Sequence, residues 1–505
     1  MGVIRRQSLK RTTIAYVGVV IGAISNLFVY PLSFEIYGLA QFIISCAQLI
    51  RPFASFGMSR VVVKFFPVFR QENNKHRGLL GFAFLTIVFG FTTLFLLLTF
   101  FEAHFVDLFE MLQMNSDVFL DDKVIICLVS FFIVASTILS HFSSNFKRIV
   151  IPEIFDNLFF KVTLPILVYA FYLSIIDQTA FKQLLVLTYI LAMSGLFWYV
   201  HSLGQLSLRI DWTFLDLSLT RKMLNYGLYV ALSIVGYFLT FRIDTVMITS
   251  FIGYKSAGFY SLFSYMVNLM VIPYMAIMAI SGPLIAEQLH RKSTNLIVTI
   301  YKNSSEILFF SSLVIVGSLW LSMDQILNLT GEGEVLRPLK ITFLILAIGQ
   351  LFNVTTGMND PIIGYSKYYR FNLYAMLFLS AINILMNIYL IPSMGIAGAA
   401  LATAISLVIY NLAKLIFIYI KFRIVPFSLV HIKIGGIAAL CFAVSFILPK
   451  TSIDLATILI KSGLFAISLI LLTLLFHLSK EIDNLAKDIL KSLKMNFLID
   501  LLRLK

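Results

Sequence analysis

The strongest constraint on this chain is an apolar run of about twenty residues that recurs along its whole length. One such run, LLGFAFLTIVFGFTTLFLLLTF from Leu79, carries no charge at all. A helix rising 1.5 Å per residue crosses a hydrocarbon core of about 30 Å with roughly 20 residues of this kind. The runs are continuous and rich in Leu, Ile and Phe, without the ten-residue alternation of a membrane barrel, so the chain is expected to be all-α and polytopic. With 59% hydrophobic residues, 13% charged residues and a mean hydropathy of +0.93, it falls outside the range of ordinary soluble domains.

Fourteen spans are predicted, near residues 12–32, 40–64, 79–100, 124–146, 151–174, 182–203, 225–250, 257–284, 305–326, 341–363, 371–391, 397–420, 431–448 and 456–478. The basic residues give them a direction. With a cytoplasmic N-terminus, 26 of the 39 Lys and Arg fall in inside segments and 7 in outside ones, the bias expected when both termini lie in the cytoplasm. The net charge of +14 is therefore read as membrane orientation, and no nucleic-acid partner is expected. The start, MGVIRRQSLKRTT, precedes an apolar segment too long for a signal peptide and is read as leading into a retained first span. The longest outside loop, from about Phe101 to Lys123, is acidic and too short for a soluble domain. Residues 479–505 read as a basic amphipathic helix on the inner leaflet.

Shifting the sequence by about 220 residues lays the first six spans on spans seven to twelve, with Gly38 on Gly258. Two six-helix halves are expected, at 1–204 and 220–424, related by a pseudo-twofold axis along the membrane normal. Two extra helices follow at 428–478. Cys46, Cys127 and Cys441 lie inside apolar runs without metal-ligand spacing, so neither a metal nor a disulfide framework is expected. No GxxxxGK[ST] loop is present, and no cofactor is expected.

The stretches RIDTVMITSFIGYKSAGFYSLFSYMVNLMVIPYMAIMAISGPLIAEQ from Arg242, LAIGQLFNVTTGMNDPIIGYSKYYR from Leu346 and IPSMGIAGAALATAIS from Ile391 resemble the polysaccharide transporter family. These are the Wzx-type flippases of O-antigen and capsule precursors, in the multidrug/oligosaccharidyl-lipid/polysaccharide exporter superfamily. The resemblance covers nearly the whole chain. It implies a transporter that flips a polyprenyl-diphosphate-linked oligosaccharide by alternating access between its two halves, coupled to an ion, with polysaccharide polymerase and chain-length proteins as partners. A lipid II flippase and a multidrug or metabolite exporter of the same superfamily are the alternatives. A membrane-embedded polymerase or ligase fits less well, for want of a large outer loop.

Charges within spans cost about 2.5 to 3.5 kcal/mol each at the bilayer centre, so they are the candidates for function. Arg51 and Lys161 are placed near mid-depth by residue count, where two cations suit a diphosphate. The positions repeat-related to them are Val271 and Ala381, so buried positive charge is expected in the N-terminal half alone. Arg60 and Lys64 share a helical face near the inner end of span 2, where they can line the cavity or snorkel to headgroups. Arg242 and Asp244, two apart on span 7, point in different directions and need separate partners. Glu153 and Asp156 share a face within reach of Lys161, as a salt-bridge cluster or a cation or proton site. Asp360 and Glu306 complete the acidic candidates, with Asp244, Glu153, Asp156 and Asp360 considered for ion coupling.

Overall fold

The structure, a computed structural model, describes residues 2–71, 75–291, 295–448, 451, 453–492, 495, 497 and 499. Of the basic residues that set the expected orientation, Lys292, Lys450, Lys494, Arg503 and Lys505 lie outside them, as does most of the tail beyond Ser492. Among the described residues every regular element is helical. Eleven helices are long and apolar enough to cross a membrane, or up to thirteen if each of two bent pairs is one span. The bent pairs are Leu217–Gly236 with Phe238–Ile252, at 49°, and Gly333–Leu339 with Ile341–Thr355, at 47°. The chain is thus an all-helical multi-pass membrane protein. The count falls short of the fourteen expected because the first two expected spans join into one helical run of 43 residues, Thr13–Ser55.

The chain divides into two compact units, Met1–Ser261 and Leu262–Lys505. The first holds α1 (Gly2–Ile24), α2 (Phe34–Ser55), α3 (Met58–Phe69), α4 (Leu79–Phe100), α5 (Lys123–Ser144), α6 (Phe159–Tyr172), α7 (Gln178–Ser202), α8 (Leu217–Ile252) and the start of α9 (Tyr254–Asn268). Side-chain oxygens cap three of these helices. Ser33 accepts from Ile36 N at the start of α2, Asp177 from Ala180 N at α7 and Asp216 from Leu219 N at α8.

The helix carrying Arg51 differs from the expected 40–64 span at both ends. It begins at Phe34, because non-helical Ser33 caps it there, and it breaks after Ser55, where Phe56 and Gly57 adopt φ of 46° and 63°. Gly57 is required at the break for a second reason. A Cβ there would lie 2.4 Å from the Gly227 carbonyl oxygen of α8. Arg51 is therefore 17 residues from the helix start, roughly 26 Å along it at 1.5 Å per residue.

Small residues bring backbones together elsewhere in this unit. A Cβ on Gly38 of α2 would sit 1.8 Å from the Tyr254 carbonyl oxygen, and one on Gly258 would sit 2.3 Å from the Phe34 carbonyl oxygen. Such approach matters in lipid, which gives helices no hydrophobic reason to associate and leaves packing to hold them. Around α3, α4, α5 and α7 lies a close-packed core that includes Val61, Phe69, Leu80, Ile138, Phe142 and Leu196.

The second unit contains the remainder of α9, α10 (Val271–His290), α11 (Asn295–Leu321), α12 (Met323–Leu329), α13 (Ile341–Thr355), α14 (Asn359–Gly364), α15 (Arg370–Met394), α16 (Ile396–Phe422), α17 (Leu429–Ile447), α18 (Asp454–Leu475) and α19 (Lys480–Ser492). A Cβ on Gly349 of α13 would lie 2.6 Å from Ala404 Cα of α16, so these two helices also meet through small residues. The C-terminal helices are tied in by polar contacts. Buried Glu306 on α11 accepts from Ser428 Oγ, at the cap of α17, at 2.8 Å and from Ser479 Oγ, just before α19, at 2.7 Å.

Candidate functional site

Arg51, Arg60, Lys64, Lys161 and Arg242 all lie in the first unit, as do Glu153, Asp156 and Asp244. Arg51 is partly buried on α2, with its guanidinium carbon 5.6 Å from the centre of the Phe238 ring on α8. It feels the charges of Asp156 and of Arg60, and His141 on α5 feels both arginines while its Nδ1 lies 3.0 Å from the Ser59 carbonyl oxygen. Arg51, Arg60, Asp156 and His141 thus form one electrostatic neighbourhood. Arginine suits such a place because its planar fork grips phosphate oxygens with two parallel hydrogen bonds.

Lys161 forms a second group. It is partly buried on α6, beside Gly18 of α1, where a Cβ would come within 3.3 Å of the Lys161 Cδ and Nζ. Its ammonium feels the charge of Glu153, a buried carboxylate that also accepts from Asn157 Nδ2 at 2.5 Å. Glu153 and Asp156 were expected on one face with Lys161. Between them the chain enters a π-helical turn, Ile154–Leu158, whose wider winding changes the register. Asp156 is exposed and acts on Arg51, whereas Glu153 is buried and acts on Lys161.

The other candidates have their own neighbours. Lys64 is exposed, with its Nζ 3.6 Å from the centre of the Tyr226 ring, close enough for a cation–π contact. Arg60, one turn earlier on α3, is also exposed. Asp244 is buried and accepts from Tyr260 Oη at 2.6 Å, while Arg242 acts on Tyr189 of α7.

Buried positive charge is not confined to the N-terminal half, contrary to the expectation. Lys414 on α16 is fully buried, and its Nζ lies 2.5 Å from Asp360 Oδ1 and 4.0 Å from the centre of the Tyr410 ring. Comparing only the repeat partners of Arg51 and Lys161 overlooked it. The signal was available, because Lys414 is a lone cation inside an apolar run with Tyr410 and Asn411 one turn before it. Lys461, placed in an outside segment from the sequence, instead lies within α18, buried, with its Nζ 3.4 Å from the Phe446 carbonyl oxygen. Another missed group is Asp122, a buried carboxylate at the start of α5 paired with Lys182 of α7 at 2.6 Å. Among the described residues no cluster of three or more His, Cys, Asp or Glu could hold a metal ion.

Residues 12–288, more than half of the chain, match the family described as polysaccharide biosynthesis protein. The chain belongs to that family. The fold is similar to that of the lipid II flippase MurJ in an inward closed conformation, with a TM-score of 0.68 and 15% identity over 92% of this chain and 98% of that one. It is also similar to an inward-facing multidrug resistance MATE transporter, with a TM-score of 0.60 and 10% identity over 82% of this chain and 98% of that one. A MATE in complex with MaL6 gives 0.54 and 12% identity over 83% and 95%. No curated protein matches in sequence. At these identities the structural likenesses establish the fold.

Proposed function

We propose that this family member flips a polyprenyl-diphosphate-linked oligosaccharide from the cytoplasmic to the outer leaflet of the bacterial inner membrane, carrying the diphosphate on cations of the first unit. The observation that carries this reading is the Arg51 neighbourhood, in which two arginines feel one another within a membrane-spanning unit and Lys161 is partly buried in the same unit. Asp156 is the carboxylate that acts on Arg51 at rest, and a diphosphate has oxygens for several donors, enough to engage both arginines. The sugar would cross with the diphosphate while the polyprenyl tail stays in lipid. The site would alternate between the two membrane faces, driven by a downhill ion, with Glu153, Asp156, Asp244 and Asp360 as the coupling carboxylates.

The membrane topology is part of the proposal. The Thr13–Ser55 run would be about 64 Å long as an unbroken helix, twice a hydrocarbon core, and Ser33 interrupts it in a non-helical conformation. Counting it as two spans, together with the two bent pairs, gives fourteen. The glycine contacts of α2 with α9 support the repeat. Gly38 meets Tyr254 and Gly258 meets Phe34, and a shift of 220 converts each contact into the other, as a pseudo-twofold axis requires. The Lys and Arg bias supports cytoplasmic termini. Polymerase and chain-length proteins are the expected partners.

The test is movement of a fluorescent polyprenyl-diphosphate oligosaccharide in proteoliposomes, read by a membrane-impermeant quencher. Quenching of label from both leaflets with the protein, and from one leaflet without it, supports the proposal. Movement of a cationic dye alone makes the protein a multidrug exporter, and movement of lipid II alone makes it a lipid II flippase.

A further inference from the structure

A polar cavity of about 370 Å³ opens in the second unit, where the helix α12 and the turn before α13 meet Thr451 and the start of α18. That volume is toward the small end of ligand pockets, which run from roughly 300 to 1,000 Å³. Its charges balance, two carboxylates against two cations, and its side chains hold one another in place. Lys340 Nζ lies 2.7 Å from Asp324 Oδ1, Arg337 Nη2 donates to Asn328 Oδ1 at 2.5 Å, and Asn328 Nδ2 donates to Asp454 Oδ2 at 3.2 Å. One group is left over. Gln325 lines the cavity, is only 3% exposed, and its side-chain amide makes no hydrogen bond with any described residue.

We propose that this cavity is a carbohydrate-binding subsite. An amide in a buried position needs a partner, and Gln325 offers both a donor and an acceptor into a cavity whose walls do the same. A sugar hydroxyl, which donates and accepts at once, is the complement of such a wall. A bare anion would meet Asp324 and Asp454, and a bare cation would meet Arg337 and Lys340, so a neutral polyol is the class that fits. The fixed ion pair and amide network orients the groups before the ligand arrives. In the topology proposed above this end of the unit faces outward. The inference rests on that reading for its role, which is to hold the sugar after it crosses.

The experiment uses the full chain in lipid nanodiscs and, as probes, the methyl glycosides of glucose, galactose, rhamnose and N-acetylglucosamine, followed by saturation-transfer NMR. The expected result is transfer to at least one glycoside, weakened roughly tenfold in Gln325→Leu and in Arg337→Ala and not displaced by inorganic phosphate. Arg337 is an exposed residue, so its loss tests the cavity even if the buried substitution lowers the thermal midpoint. No transfer to any glycoside, equal transfer in both variants, or displacement by phosphate would each overturn the proposal. The flipping assay on the same wild-type sample separates the two readings. Flipping without glycoside binding removes this subsite alone, whereas glycoside binding lost in the variants without flipping keeps the subsite and removes the transport reading.

Discussion

Gly38 and Gly258 stand 220 residues apart in the chain, yet a Cβ on Gly38 would come within 2.9 Å of the Gly258 backbone nitrogen. Each glycine also faces a carbonyl oxygen of the other helix, Tyr254 for Gly38 and Phe34 for Gly258. The obstacles are backbone atoms, which cannot turn away as a flexible side chain can. Gly38→Val is expected to destabilise the protein by about 1 to 3 kcal/mol or more, the range for overpacking a tight site. Thermal unfolding in detergent checks this, and an equal loss in Gly258→Val is the outcome expected from the reciprocal contact.

Lys414 and Asp360 make a testable pair in the second unit. Removing one partner of a buried ion pair typically costs about 3 to 5 kcal/mol, because the other charge is stranded. Lys414 is fully buried and the Asp360 side chain is 44% exposed, so Asp360→Asn should be the more damaging change. Lys414→Met leaves a carboxylate that water can reach. The double variant should recover most of the stability lost in Asp360→Asn, and a double-mutant cycle by chemical denaturation measures the coupling.

Glu306 holds the starts of α17 and α19 through Ser428 and Ser479. Glu306→Ala leaves the buried Ser479 hydroxyl without its acceptor, at a cost of about 1 to 3 kcal/mol for a buried group left unsatisfied, while Ser428 Oγ keeps His431 Nδ1 at 3.3 Å. Limited proteolysis should then cut sooner near Ser479, while the spans before α17 keep their resistance.

Asp211, in the loop between α7 and α8, accepts from Thr213 Oγ1 at 2.6 Å and from the Phe214 amide at 3.2 Å, and these bonds, with the nearby Arg77, hold its carboxyl below the ordinary 3.8. A depressed folded-state pKa means that the stabilisation is present above 3.8 and is lost as pH falls through the lower folded value. The Phe214 amide should therefore keep full protection from hydrogen exchange, after correction for intrinsic rates, at pH 5 and 7, and lose the share that the carboxylate supplies only as pH falls through that depressed value, its bond to the Asp211 carbonyl oxygen remaining. Asp211→Asn should show no such step.

Much of the fold was legible because lipid forces every span to be an apolar helix, and that signal survives in any sequence. Gly38 and Gly258 were legible as a pair, and the structure brings them together where a backbone approach admits nothing larger. Ser33, Phe56 and Gly57 were not read as the limits of the helix that carries Arg51, because caps and positive φ values are local choices inside a run that hydropathy treats as uniform. The charged candidates could be named but not partnered. The π-helical turn at Ile154–Leu158 redirects Asp156, and Lys414 finds Asp360 across 54 residues of chain, outside any spacing rule.

The central claim is that the cations of the first unit carry the diphosphate. Its most direct test is the rate of flipping of a fluorescent polyprenyl-diphosphate oligosaccharide by wild type, Arg51→Ala, Arg51→Lys and Lys161→Ala in proteoliposomes, with matched protein incorporation. The account predicts that both alanine variants lose at least about tenfold in rate, equivalent to about 1.4 kcal/mol, while Arg51→Lys retains transport. Normal flipping by Arg51→Ala and Lys161→Ala would contradict it.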